Sequence, residues 1–73
     1  MSSLSPLHRK VLIKKLRKLG FSGPLPATRH EYMIKDKHKI FIPNPHKNKE
    51  ISLVIIKEII KQLNIDNNEF INL

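Results

Sequence analysis

Apolar residues recur at helical spacing near both ends of the chain and alternate with polar ones in the middle. Leu12, Leu16 and Leu19 stand at i, i+4 and i+7 with Ile13 beside them, while Lys10, Lys14, Arg17 and Lys18 fall on the opposite side. This pattern predicts a helix over about residues 6–19, with Ser5 as N-cap and Pro6 in the first helical position. Gly20 should stop it in a left-handed conformation. Toward the other end, Ile55, Ile56, Ile59, Ile60 and Leu63 form a wide apolar stripe. They predict a second helix over about residues 53–63, capped by Ser52 and ended by Asn64. Asp66 followed three residues later by Glu69 is a capping-box-like start for one last short turn, which Phe70 and Leu73 would pin to the core.

Between the helices the period changes. Gly23, Pro24 and Pro26 make their segment extended or an edge strand, because proline donates no ladder hydrogen bond. A strand over about residues 29–35 puts His30, Tyr32 and Ile34 on one face and Glu31, Met33 and Lys35 on the other. Asp36-Lys37 is a tight turn. A strand over about residues 38–42 follows, with Ile40 and Ile42 on one face and Lys39 and Phe41 on the other. Both faces carry apolar side chains, so alternation leaves open which one the helices cover. Pro43-Asn44-Pro45-His46 ends the strand, and a loop leads to Ser52. The predicted fold is α+β, in the order α-β-β-β-α. Two helices lie on one face of a three-stranded antiparallel sheet, with a short C-terminal helical turn.

At 73 residues the chain is expected to form one domain over residues 1–73, with a core of marginal size. It has no cysteine, which removes disulfides and thiolate metal sites from consideration. Its longest apolar run, Leu53-Val54-Ile55-Ile56, is far short of the roughly 20 residues of a membrane-spanning helix. No apolar stretch of signal-peptide length precedes the basic residues. The expectation is a soluble cytoplasmic protein with no membrane association. Charge adds the most. Fourteen lysines and arginines against six acids give a net charge of +8, so a polyanion is the natural partner, either nucleic acid or an anionic membrane surface. Ten of the fourteen cations precede Phe41, beginning with Arg9-Lys10 and Lys14-Lys15, whereas Glu50, Glu58, Asp66 and Glu69 gather late. The first half should therefore face the polyanion.

The anchors Gly20-Phe21, Gly23-Pro24, His30-Glu31-Tyr32-Met33, Pro43-Asn44-Pro45-His46 and Ile51-Ser52, followed by an Ile/Leu helix, resemble the HicA (YcfA-like) toxins. The resemblance covers about residues 12–73, and its specificity lies in the order of the anchors. It implies a double-stranded-RNA-binding type of fold. It implies a toxin of a type II toxin–antitoxin pair that cleaves messenger RNA independently of the ribosome. The partner would be a HicB-type antitoxin, and the free toxin a monomer. The family's catalytic histidine, usually preceded by glycines, falls on His30. Here Ala27-Thr28-Arg29 replaces the glycine-rich lead-in, and Arg29 keeps a cation beside the imidazole.

The chemistry suits the residues. RNA carries its own nucleophile, the 2′-hydroxyl, and imidazole transfers protons near neutrality. His30 is thus the candidate general acid or base, with Arg29 stabilising charge on the phosphate. No metal or other cofactor is expected, since the spacing of His30, His38 and His46 is not a zinc pattern. His46 is a second proton-transfer candidate, although a histidine in such a loop more commonly orients the backbone. Tyr32 is placed to stack on a base or, as readily, to pack on a neighbouring strand. Lys10, Lys14, Arg17 and Lys18 form a phosphate-contacting stripe or a solvated helix face. Two other functions compete with ribonuclease activity: a module that grips double-stranded RNA without cutting it, and a DNA-binding regulator. The regulator lacks a short junction leading into a basic recognition helix.

Overall fold

The computed structural model describes residues 4–44 and 49–73. Its elements are α1 (Arg9–Lys18), β1 (Ser22–Leu25), β2 (Glu31–Lys35), β3 (His38–Ile42), α2 (Leu53–Leu63) and α3 (Asn67–Ile71). The strands form one sheet in the order β1-β2-β3, with both pairings antiparallel. This is the α-β-β-β-α arrangement expected, with α3 as the terminal turn. No helix among the described residues is long and apolar enough to cross a membrane.

The register of the hairpin fixes the layers. Met33 pairs with Ile40, and both are fully buried, as is Ile42 opposite Glu31. They join Leu12, Ile13 and Leu16 of α1, Ile56, Ile59 and Ile60 of α2, and Phe70 of α3 in one core. Both long helices therefore cover the Met33/Ile40/Ile42 face, and among the described residues no helix covers the other face of the sheet.

Local chemistry explains most element ends. Gly20 (φ 100°) lets the chain leave α1 through a Schellman motif, in which Phe21 N–H donates to Leu16 O at 3.1 Å and Gly20 N–H to Arg17 O at 3.0 Å. Gly23 (φ 119°) is forced by space as well as conformation, because a Cβ there would sit 2.9 Å from Tyr32 O. Asp36 (φ 55°) supplies the left-handed residue of the hairpin turn in place of glycine. Ser52 accepts from Ile55 N–H at 3.5 Å and Asp66 from Glu69 N–H at 2.8 Å, each capping its helix. Asn64 ends α2 in the left-handed region at φ 58°.

Three expectations need correction. Helix α1 starts at Arg9 rather than at residue 6, and its N-cap is His8, which makes no side-chain cap bond. Leu7 is held extended by a two-way backbone bridge to Ile51 (3.2 and 2.6 Å), so Ser5 and Pro6 lie outside the helix. Strand β2 starts at Glu31 rather than residue 29. Glu31 pairs with Ile42, the last residue of β3, and the next position is Pro43, which has no N–H to offer. Ile55 is 37% exposed rather than core, because α2 turns only its Ile56/Ile59/Ile60 side inward.

Candidate functional site

Shortening β2 leaves residues 28–30 as a bend at its entrance, with Arg29 and His30 both exposed. Glu31 is ion-paired through Oε1 with Arg9 Nη2. That contact ties the first residue of α1 to the first residue of β2, which directly follows His30 in the chain. Its imidazole is open to solvent and adjacent to a guanidinium in sequence. His46 lies outside the described residues.

Along α1, Lys10, Lys14 and Arg17 line a groove of about 480 Å³ together with Val11, Ile13 and Pro24. The groove therefore runs between the polar side of the helix and the edge strand β1. Lys18 is exposed but does not line it. Arg17 has a second task, since its Nε and Nη2 donate to Gly23 O at 3.2 and 2.9 Å and hold β1 against the helix.

The expectation that the basic first half as a whole faces a polyanion is too broad. Arg9 is neutralised by Glu31, and Lys35 donates to Leu19 O at 2.8 Å. Lys15 lies at the back of α1. Its Nζ donates to the main-chain oxygens of Phe70, Ile71 and Leu73 at 3.1, 3.1 and 3.2 Å and sits 5.3 Å from the Phe70 ring centroid. Burial, then the nearby Lys18 charge, lowers its pKa below the usual lysine value. Lys15 is thus a C-cap for α3, a cation at the negative end of a short helix. Lys10, Lys14, Lys18 and Arg29 keep their exposed positions.

Tyr32 is half-buried on the open sheet face. Its ring lies 6.1 Å from that of Phe41, its cross-strand partner, and Lys39 Nζ lies 4.9 Å above it. The packing role foreseen for Tyr32 is present, and one side of this group faces solvent, since Phe41 is 58% exposed. Lys39 and Phe41 were not singled out from the sequence, although alternation already placed them together.

The family model described as the HicA toxin of bacterial toxin-antitoxin systems matches residues 9–65. The chain belongs to the HicA toxin family. The protein is accordingly a toxin of a toxin–antitoxin system, a class that implies an antitoxin partner. The HicA match runs from the first residue of α1, through the whole sheet, to just beyond α2, and takes in the bend at His30 and the basic groove. It stops short of α3, the element that Lys15 ties down. No curated protein and no solved structure matches the chain.

Proposed function

We propose that this HicA toxin is a metal-independent endoribonuclease that cleaves messenger RNA in the cytoplasm, with His30 as its proton-transfer group. The observation that carries this reading is the exposed Arg29–His30 bend, followed directly by Glu31, which is ion-paired with the first residue of a cationic helix, within a HicA-family chain. Phosphate groups of RNA lie in the Lys10/Lys14/Arg17 groove, with the exposed Lys18 on the same helix adding charge, and the groove holds the strand without reading its sequence. The 2′-hydroxyl attacks the adjacent phosphorus, forming the O2′–P bond as the P–O5′ bond breaks. His30 either accepts the 2′ proton or delivers one to the departing 5′ oxygen. Arg29 stabilises the charge that gathers on the phosphoryl oxygens. The products are a 2′,3′-cyclic phosphate and a 5′-hydroxyl. His46 is the candidate for the second proton transfer. A HicB-type antitoxin restrains the enzyme by covering this bend, and the free toxin is a monomer.

The second reading, a double-stranded-RNA-binding module without catalysis, draws on Ala27-Thr28-Arg29 standing where glycines are usual. One assay separates the two. Purified toxin is incubated with RNA in excess chelator, beside the His30→Ala variant. The ribonuclease reading expects cleavage by the first and none by the second, with equal binding. Equal persistence of the RNA with both proteins, at equal affinity, assigns the chain to the binding-module class.

A further inference from the structure

The open face of the sheet has no role in the chemistry above. Cross-strand partners project to the same side of a sheet, and Met33 and Ile40 point inward. The pairs Tyr32–Phe41 and Ile34–Lys39 therefore point outward, as do Leu25, opposite Tyr32, and Ser22, opposite Ile34. Leu25, Tyr32 and Phe41 thus form a single row across all three strands, at the end of the sheet where the chain enters β2 from His30. Leu25 and Phe41 are exposed, at 38% and 58%. Behind that row Lys39 reaches over the Tyr32 ring. The paired positions of this face carry no carboxylate.

We propose that this row is a base-stacking platform for single-stranded RNA, which delivers the scissile phosphate to His30. The inference rests on the ribonuclease reading and adds to it the strand state of the substrate and a second binding surface. Three observations favour RNA over a protein partner. The platform pairs aromatic rings with a cation, the combination that accepts a base on a ring and its phosphate on an ammonium. It is free of acids in a chain of net charge +8. It also continues an existing cationic path: Pro24 lines the α1 groove and its neighbour Leu25 begins the row, so a strand leaving the groove crosses the β1 edge onto the platform. Tyr32 lies two residues beyond His30, which limits the separation of their Cα atoms to about 7 Å. A base stacked on Phe41, beside its cross-strand partner Tyr32, therefore keeps its own phosphate near the imidazole. A paired base in a duplex has no free face to offer, so the platform selects unpaired segments.

The test uses the His30→Ala chain, which holds RNA without cutting it, and a fluorescently labelled oligoribonucleotide of mixed adenine and uridine, single-stranded or annealed to its complement. Phe41→Ala, at an exposed position, should weaken single-strand binding about tenfold and leave duplex binding unchanged. The chain has no tryptophan, so Phe41→Trp puts a lone indole on the platform. Its emission should be quenched when the single strand saturates the protein. Unchanged affinity in Phe41→Ala, or steady indole emission while anisotropy reports full binding, overturns the platform. So does unchanged RNA affinity together with loss of binding to the antitoxin, which would assign the face to the protein partner. Failure of the wild-type chain to cleave RNA removes the catalytic reading but leaves these binding readouts intact, so the two failures are distinct.

Discussion

The two faces of the β2–β3 hairpin are built from alternate residues of the same two strands, yet they differ in kind. The inner set, Met33, Ile40 and Ile42, has no solvent exposure. The outer set includes Phe41, exposed over half its surface, and Lys39 over the Tyr32 ring. One residue of register separates a side chain whose value is cohesion from one whose value is contact with something outside the molecule. The cations divide in the same way. Lys15 and Lys14 are neighbours in sequence, but Lys15 holds the last helix in place while Lys14 lines the open groove. A basic residue count therefore overstates the surface available to RNA.

Substitutions on either side of these divisions should separate stability from function. The largest effect is expected for Ile40→Ala, which empties a fully buried site at a cost of about 2–5 kcal/mol. In a chain this small, that should appear in thermal melts as a loss of most of the folded population. Phe41→Ala, the next residue, should melt within about 0.5 kcal/mol of wild type. A similar loss for both would mean that the outer face is also structural.

Gly23→Ala should rank second, near 1–3 kcal/mol, since it combines a positive φ with a Cβ crowding Tyr32 O. Melting unchanged by that substitution would contradict the close approach of β1 to β2. Lys15→Ala follows, at about 1 kcal/mol, because the part-buried carbonyls of Ile71 and Leu73 lose a charged donor. It should release α3 before the rest of the fold, read as early amide exchange at Phe70 and Ile71. Lys14→Ala is the smallest in stability, within about 0.5 kcal/mol, yet it should lower the slope of RNA affinity against salt by about one. If Lys15→Ala lowers the salt slope as much as Lys14→Ala does, the division of cations fails.

Much of this arrangement is legible in the sequence where the determinants are local. The bounds of α2 follow from Ser52 and Asn64, and the end of β3 from Pro43. The return of the chain after α1 follows from Gly20. Features set by distant partners are not legible. The late start of α1 depends on Leu7 meeting Ile51, and the role of Lys15 on carbonyls at the far end of the chain. Alternation identified both sets of hairpin residues but not which set the helices would cover. That choice is made by packing among residues from five elements. At the candidate site, the sequence marks His30 and Arg29 by type and order. That they occupy a bend rather than a strand follows from the hairpin register, where Pro43 denies His30 a partner.

The most direct test of the account is the rate of RNA cleavage, in the presence of chelator, by the toxin and by its His30→Ala variant at matched thermal stability. The unaltered chain should cleave robustly and leave cyclic-phosphate ends, and the variant's rate should be indistinguishable from buffer. Equal rates for the two proteins, or activity that disappears when divalent ions are removed, would contradict the account.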